Sequence, residues 1–199
     1  MLGSLALEET PMIIVTPPTE SPVTVAEAKS YLRIDHTDED LTIQALIDTA
    51  VDYAENYTGR ALITQVWEET FSEFPTASYI QIPKAPLQTI DEFEYTEANE
   101  TTADFADYTA DLFKNRAVLN YDESWPSCTL EPVEGIRIEW TCGYGDDGTD
   151  VPEAIRQAIL LLVGHWYENR EPVIVGTITA NLPFTVQALL NPYRTWEFV

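Results

Sequence analysis

The run Gly135-Ile136-Arg137-Ile138-Glu139-Trp140-Thr141-Cys142-Gly143-Tyr144-Gly145-Asp146-Asp147-Gly148-Thr149-Asp150-Val151-Pro152-Glu153-Ala154-Ile155-Arg156-Gln157-Ala158-Ile159-Leu160-Leu161-Leu162-Val163 changes its hydrophobic period partway along. Before Gly143 it alternates, with Ile136, Ile138 and Trp140 on one side, the pattern of a half-buried strand. From Asp150 it reads as a helix start: an N-cap Asp, a Pro in the first turn and Glu153 at N3. The predicted helix runs to about Asn169, and Ile155, Ala158, Ile159, Leu162, Val163 and Trp166 make it apolar over much of its surface. A helix apolar nearly all round is buried on most sides. It is either central to the chain or packed against a neighbouring subunit.

Outward from this junction, each side keeps its own period. Upstream, residues 62–142 read as short strands. Ile63, Trp67 and Phe71 share one parity, Tyr79-Ile80-Gln81-Ile82 is a strand ended by Pro83, and residues 90–95 form another. Residues 112–119 read as two short strands meeting at Lys114-Asn115-Arg116. Further upstream the period is helical. Thr24-Val25-Ala26-Glu27 is a capping box for a helix ending near Ile34. Asp38, Glu39 and Asp40 suit the first turn of a second helix. Its apolar stripe is Ile43, Leu46, Ile47, Ala50, Val51, Ala54 and Tyr57, and Gly59 is placed to end it. Downstream, Pro183 opens a short helix that Pro192 ends, and residues 173–181 between are β-rich and uncharged, an exposed hairpin or arm.

The fold class expected is therefore α+β: a helical bundle core with a long central helix and an inserted small antiparallel β-sheet domain. The expected boundaries are an N-terminal extension over 1–20, a helical core over 21–63 and 143–199, and a β-rich insertion over 64–142.

The 199 residues carry 34 acidic and 10 basic side chains, a formal charge of −24. At 45% hydrophobic and 11% aromatic the chain has the apolar mass to pack and is no disordered acidic tail. The charge argues against direct gripping of nucleic acid, which needs clustered Lys and Arg. It is also uneven: 11 acids against 3 bases over 1–63, 19 against 4 over 64–150, and 4 against 3 over 151–199. The nearly neutral C-terminal part is best suited to dock on something. Two cysteines, Cys128 and Cys142, are too few for a disulfide framework and read as buried thiols. The first residues lack the basic and apolar regions of a signal peptide. The unbroken apolar run over 158–163 is far short of the ~18 residues of a membrane span, so a cytosol-like compartment and no membrane are expected. Met12 reads as a candidate alternative start.

Motifs for chemistry fail on context. Gly143-Tyr144-Gly145-Asp146-Asp147-Gly148 matches a dinucleotide fingerprint in letters only. Asp146 and Asp147 stand where a pyrophosphate must approach, and no βαβ unit surrounds them. With Asp150 they lack the spacing of a calcium loop and read as a solvated turn. His165 and Glu168 lie one turn apart but have no visible partner pair for a metal, so His165 reads as a hydrogen-bonded packing residue. No nucleophile elbow or Walker loop appears. Trp125, Trp140, Trp166, Tyr167 and Trp196 read as core or interface anchors. The chain is read as non-enzymatic, with no catalytic residues, metal or cofactor.

Several motifs in order resemble one family. They are Val15-Thr16-Pro17-Pro18, Pro22-Val23-Thr24-Val25-Ala26-Glu27-Ala28-Lys29 with Tyr31-Leu32-Arg33-Ile34-Asp35, and Gly59-Arg60-Ala61-Leu62-Ile63-Thr64-Gln65. After Ile82-Pro83 and Pro86-Leu87 come Gly143-Tyr144-Gly145, Val151-Pro152-Glu153-Ala154-Ile155-Arg156-Gln157-Ala158-Ile159, His165-Trp166-Tyr167-Glu168-Asn169-Arg170 and Ala188-Leu189-Leu190-Asn191-Pro192-Tyr193-Arg194. Together they resemble the head–tail connector, or adaptor, proteins of tailed bacteriophages.

The resemblance implies a structural subunit of a twelve-membered ring below the portal. Such a ring sits in the virion neck after assembly in the host cytoplasm. It extends the DNA channel, encloses DNA without reading its sequence, and joins the portal protein to a neck or tail terminator or stopper protein. It places portal docking at Leu189, Leu190, Pro192, Tyr193, Arg194 and Trp196. Ile159, Leu162, Trp166, Val173, Ile174 and Val175 are the candidates for inter-subunit or core packing. The acidity then has two readings: a channel wall that repels phosphate, or a surface suited to a saline habitat. The alternative function is a protein-binding or regulatory module, of a phage or its host, that forms no ring.

Overall fold

A computed structural model describes residues 12–169 and 184–195. The chain mixes α and β structure and divides into two compact units, one of residues 1–17 and 65–142, the other of residues 18–64 and 143–199.

The first unit is built of antiparallel strands. β1 (Ile13–Thr16), β2 (Gln65–Phe71), β4 (Leu87–Thr96), β5 (Thr102–Asp104) and β8 (Ile136–Cys142) form a sheet in the order β1-β2-β8-β4-β5. β3 (Tyr79–Gln81), β6 (Tyr108–Asp111) and β7 (Arg116–Leu119) form a second, in the order β3-β7-β6. The central strand β8 buries Ile136, Ile138, Trp140 and Cys142, and its intervening residues face the other way. In register, Trp67 stands opposite Trp140 on β2, and Ile90 stands opposite it on β4. A ring cluster packs beside these strands: Phe74 stacks on Trp125 at 5.3 Å, and Phe93 and Phe105 meet edge to face at 5.1 Å.

The second unit is helical: α1 (Val25–Leu32), α2 (Asp40–Thr58), α3 (Glu153–Glu168) and α4 (Phe184–Leu190). One apolar core joins them, with Ile43, Ile47, Ala50 and Ala54 of α2 against Ile155, Ala158, Ile159, Leu162 and Val163 of α3 and Val186 and Leu190 of α4. Thr24 and Glu27 form the capping box of α1. Gly59 ends α2 in the left-handed conformation at φ 68°.

Several local expectations change. Residues 13–16 are not extension but an edge strand, because β2 offers them a pairing edge. One expected small sheet is two. The hairpin expected over 112–119 has its first strand earlier, at Tyr108–Asp111. The Asp111 carboxylate accepts from the Lys114 backbone N–H at 3.1 Å, a turn device. Leu112 and Phe113 are thereby left in the turn, with Phe113 91% exposed. The cap of α3 is Pro152, not Asp150. Asp150 closes a preceding 3-10 turn, where it accepts from the Asp147 N–H at 3.2 Å. Cys128 is half-buried, unlike Cys142. At 19 residues α2 exceeds the 16 of α3.

Candidate functional site

The C-terminal segment carries most of the candidate docking residues, and the structure shows how it is held. α4 buries Val186 and Leu190 and leaves Phe184, Thr185 and Ala188 exposed. Pro192 lies inside a 3-10 turn, Asn191–Tyr193, rather than simply ending the helix. The chain then latches onto the end of α2. The Thr58 carbonyl accepts from the Thr195 N–H at 2.8 Å and from its Oγ1 at 3.0 Å. The Tyr57 hydroxyl donates to Asn191 Oδ1 at 2.7 Å. The Arg60 guanidinium donates to the Tyr193 carbonyl. The Arg194 guanidinium lies 5.6 Å from the centre of the Tyr57 ring, within cation–π range.

Gly59 is needed at this latch for two reasons. Its φ of 68° favours glycine, and an added Cβ would sit 2.2 Å from Thr195 Oγ1. Nearby, Arg60 also lies 5.8 Å from the Tyr144 ring centre. Burial pushes the Tyr144 phenol up, more than the Arg60 charge pulls it down.

The docking candidates therefore separate. Leu190 is fully buried in the helical core, and Leu189 and Tyr193 are half-buried against it. Pro192 and Arg194 are exposed. Trp196 lies outside the described residues. Phe184, 84% exposed at the start of α4, was not singled out in the sequence, because an aromatic near a helix start reads equally well as core. Of the packing candidates, Ile159 and Leu162 are fully buried within the unit, and Trp166 is half-buried at the core margin. Val173, Ile174 and Val175 lie outside the described residues.

The Gly143 turn follows an antiparallel strand. Among the described residues no group of three or more His, Cys, Asp and Glu is placed to hold a metal ion. His165 Nδ1 lies 3.4 Å from Asn169 Nδ2, a contact within its own helix end. An open groove of about 490 Å³ beside α2 is lined by Glu20, Asp48, Asp52 and Glu55, with Val51 and Ile63. No basic side chain lines it, so it repels polyanions. On the first unit, Arg137 of β8 sits among Glu68, Glu92 and Glu94. Among the described residues no helix is long and apolar enough to cross a membrane.

Two of the three comparisons with known proteins find matches. The family described as head completion protein matches residues 23–196. Among solved structures, a chain in the virion of a native gene transfer agent particle is 22% identical with a TM-score of 0.76, over 94% of this chain and 97% of that one. A chain from the neck of the empty particle, computed with C6 symmetry, is 23% identical with a TM-score of 0.76, over 95% and 97%. One from the neck of the native particle, computed with C12 symmetry, is 23% identical with a TM-score of 0.71, over 95% and 97%. At these identities the likeness speaks for the fold. A search of curated proteins finds no match. On the family match, which takes in both units, the chain belongs to the head completion protein family, and its role is structural, at the head–tail connection of a phage-like particle.

Proposed function

We propose that this chain is the repeating subunit of a connector ring in the neck, seated on the portal protein and offering its other face to a terminator or stopper protein. The observation that carries the reading is the match of nearly the whole fold to a neck chain in a particle computed with C12 symmetry. That symmetry, with the C6 symmetry of the empty particle's neck as a divisor of it, supports a twelve-membered ring. The helical unit, with α3 against α1, α2 and α4, is its core, and the β-rich unit is the insertion.

In this reading the latched segment faces the portal. Exposed Phe184, Pro192 and Arg194 make the contact, and Leu189, Leu190 and Tyr193 hold the segment in place. Trp196, outside the described residues, is proposed to join the contact. Half-buried Trp166 is the packing candidate nearest a neighbour, while Ile159 and Leu162 serve the core. The work is mechanical, without catalysis. The acidic surface supports a channel that encloses DNA and lets it slide, because carboxylates repel phosphate.

The test is imaging of intact particles together with mass measurement of the chain with and without portal. Density for this chain as a ring between portal and tail is the expected result. A one-to-one complex with some other protein, and no ring on portal, overturns the proposal in favour of a regulatory module.

A further inference from the structure

β1 is an edge strand with apolar side chains in solvent. Among the described residues it pairs with β2 on one side only. Its residues Ile13, Ile14 and Val15 are 52%, 47% and 44% exposed. An unpaired apolar edge is a template for another strand, and proteins otherwise blunt such edges with charge. No charged residue lies anywhere in 10–19.

The same chain contains a segment suited to that edge. Residues 172–193 carry no charge, in a chain whose net charge is −24. Within them, Val173-Ile174-Val175-Gly176-Thr177-Ile178-Thr179 has a β-branched side chain at every position except Gly176, the composition that fits a pleated surface. Residues 170–183 connect α3 to α4, two helices that share one core. Packed helices need only ~2–8 residues between them, and connections of this length are usually functional.

We propose that residues 173–179 of one copy add as a strand to the β1 edge of a second copy. The inference rests on the ring reading and gives it a contact. Two different surfaces joined head to tail, arm to edge, form a heterologous interface, the kind that closes into a ring. Main-chain hydrogen bonds supply the pairing and the alternating side chains supply the fit. Charge selects the neutral segments, because copies this acidic repel one another wherever carboxylates meet. The competing occupant is the chain's own start. Its Leu2-Gly3-Ser4-Leu5-Ala6-Leu7 has no β-branched residue, and Glu8 and Glu9 follow directly, so it is the poorer strand.

The experiment uses full-length chains in a Cys128→Ser background, one carrying Ile14→Cys and a differently tagged one carrying Ile174→Cys. They are assembled together on portal and treated with a short bismaleimide. A link between the two tagged copies is expected, and no link when Tyr121→Cys, an exposed site that follows β7 of the other sheet, replaces Ile14→Cys. An assembled ring with no 14–174 link overturns this inference alone. So does a 14–174 link only within single copies carrying both cysteines, or a Leu5→Cys link to Ile14→Cys in its place. Failure to assemble on portal overturns the ring reading as well. Separately, Ile14→Lys is expected to raise the concentration needed for assembly at least tenfold while the isolated chain melts as before. Unchanged assembly overturns the inference.

Discussion

Arg156 on α3 pairs with Glu27 on α1, and Glu27 is the same residue that closes the α1 capping box. Arg156 also donates to the Pro22 carbonyl at 3.0 Å and to Glu153 at 2.9 Å. One guanidinium thus ties the segment before α1, the first turn of α1 and the first turn of α3. Its planar fork of donors is what allows three partners at once.

Arg156→Ala is expected to destabilise the helical unit by about 1–3 kcal/mol, the range for losing hydrogen bonds to a charged group and stranding their partners. Arg156→Lys recovers part of this, since it keeps the charge without the fork. Urea unfolding followed by circular dichroism checks both, and an unchanged midpoint for Arg156→Ala would remove the tie from the account.

The pH dependence at Glu27 follows from its partners. The backbone hydrogen bond at Thr24 holds its carboxyl below the ordinary 4.5, with the Thr24 hydroxyl and the Arg156 charge assisting against the opposing effect of burial. A carboxyl lowered in the folded state stabilises above 4.5, and that contribution is lost as the pH falls through the folded value. Glu27→Gln should therefore cost stability at pH 7 and progressively less on acidification below about pH 4.5.

Glu139 is expected to behave in the opposite sense. On β8 it stands between Glu68 of β2 and Glu92 of β4. Burial first, then the Glu92 charge, raises its carboxyl above the ordinary 4.5. Such a group favours the folded state at low pH, and the advantage is lost as the pH rises through its folded value. Glu139→Gln should stabilise the sheet at pH 7 by about 0.2–1 kcal/mol, the size of a like-charge cross-strand pair. The gain should vanish well below pH 4.5, where the glutamate is protonated in both states. Paired thermal melts at the two pH values measure it.

Gly143→Ala should be severe. The residue has φ 130°, and an added Cβ would lie 2.6 Å from the backbone of Ile63 and Thr64, which has no side-chain freedom with which to yield. The backbone conformation alone costs about 1–3 kcal/mol for a non-glycine residue, and the clash adds to it. A soluble variant with an unchanged melting temperature would contradict the contact.

Two substitutions in α3 separate core from margin. Leu162→Ala opens a cavity in the buried core and should cost about 2–5 kcal/mol. Trp166→Ala, at a half-buried position, should cost less in the isolated chain. Equal losses in urea unfolding would place Trp166 in the core.

Much of this structure is legible in residues near one another in the chain. Thr24 with Glu27, the stripe from Ile43 to Tyr57, Gly59 and the alternation of Ile136, Ile138 and Trp140 each predict their element, because caps and periodicity act over one or two turns or strand repeats. Local reading fails where turn chemistry competes with hydrophobicity, as at Leu112 and Phe113, or where a 3-10 turn takes the residue expected as a cap, as at Asp150.

What the sequence alone determined is the α+β class, the order of the main elements and the rejection of the glycine motif at 143–148. Only the tertiary structure decided that Ile14 pairs with Trp67, that Thr195 returns to Thr58, and that Arg156 reaches Glu27. Such pairs are set by which distant edges and orphan carbonyls the folded chain brings together. No local period encodes that choice, because closing a long loop must be offset by contacts that exist only once the rest has packed.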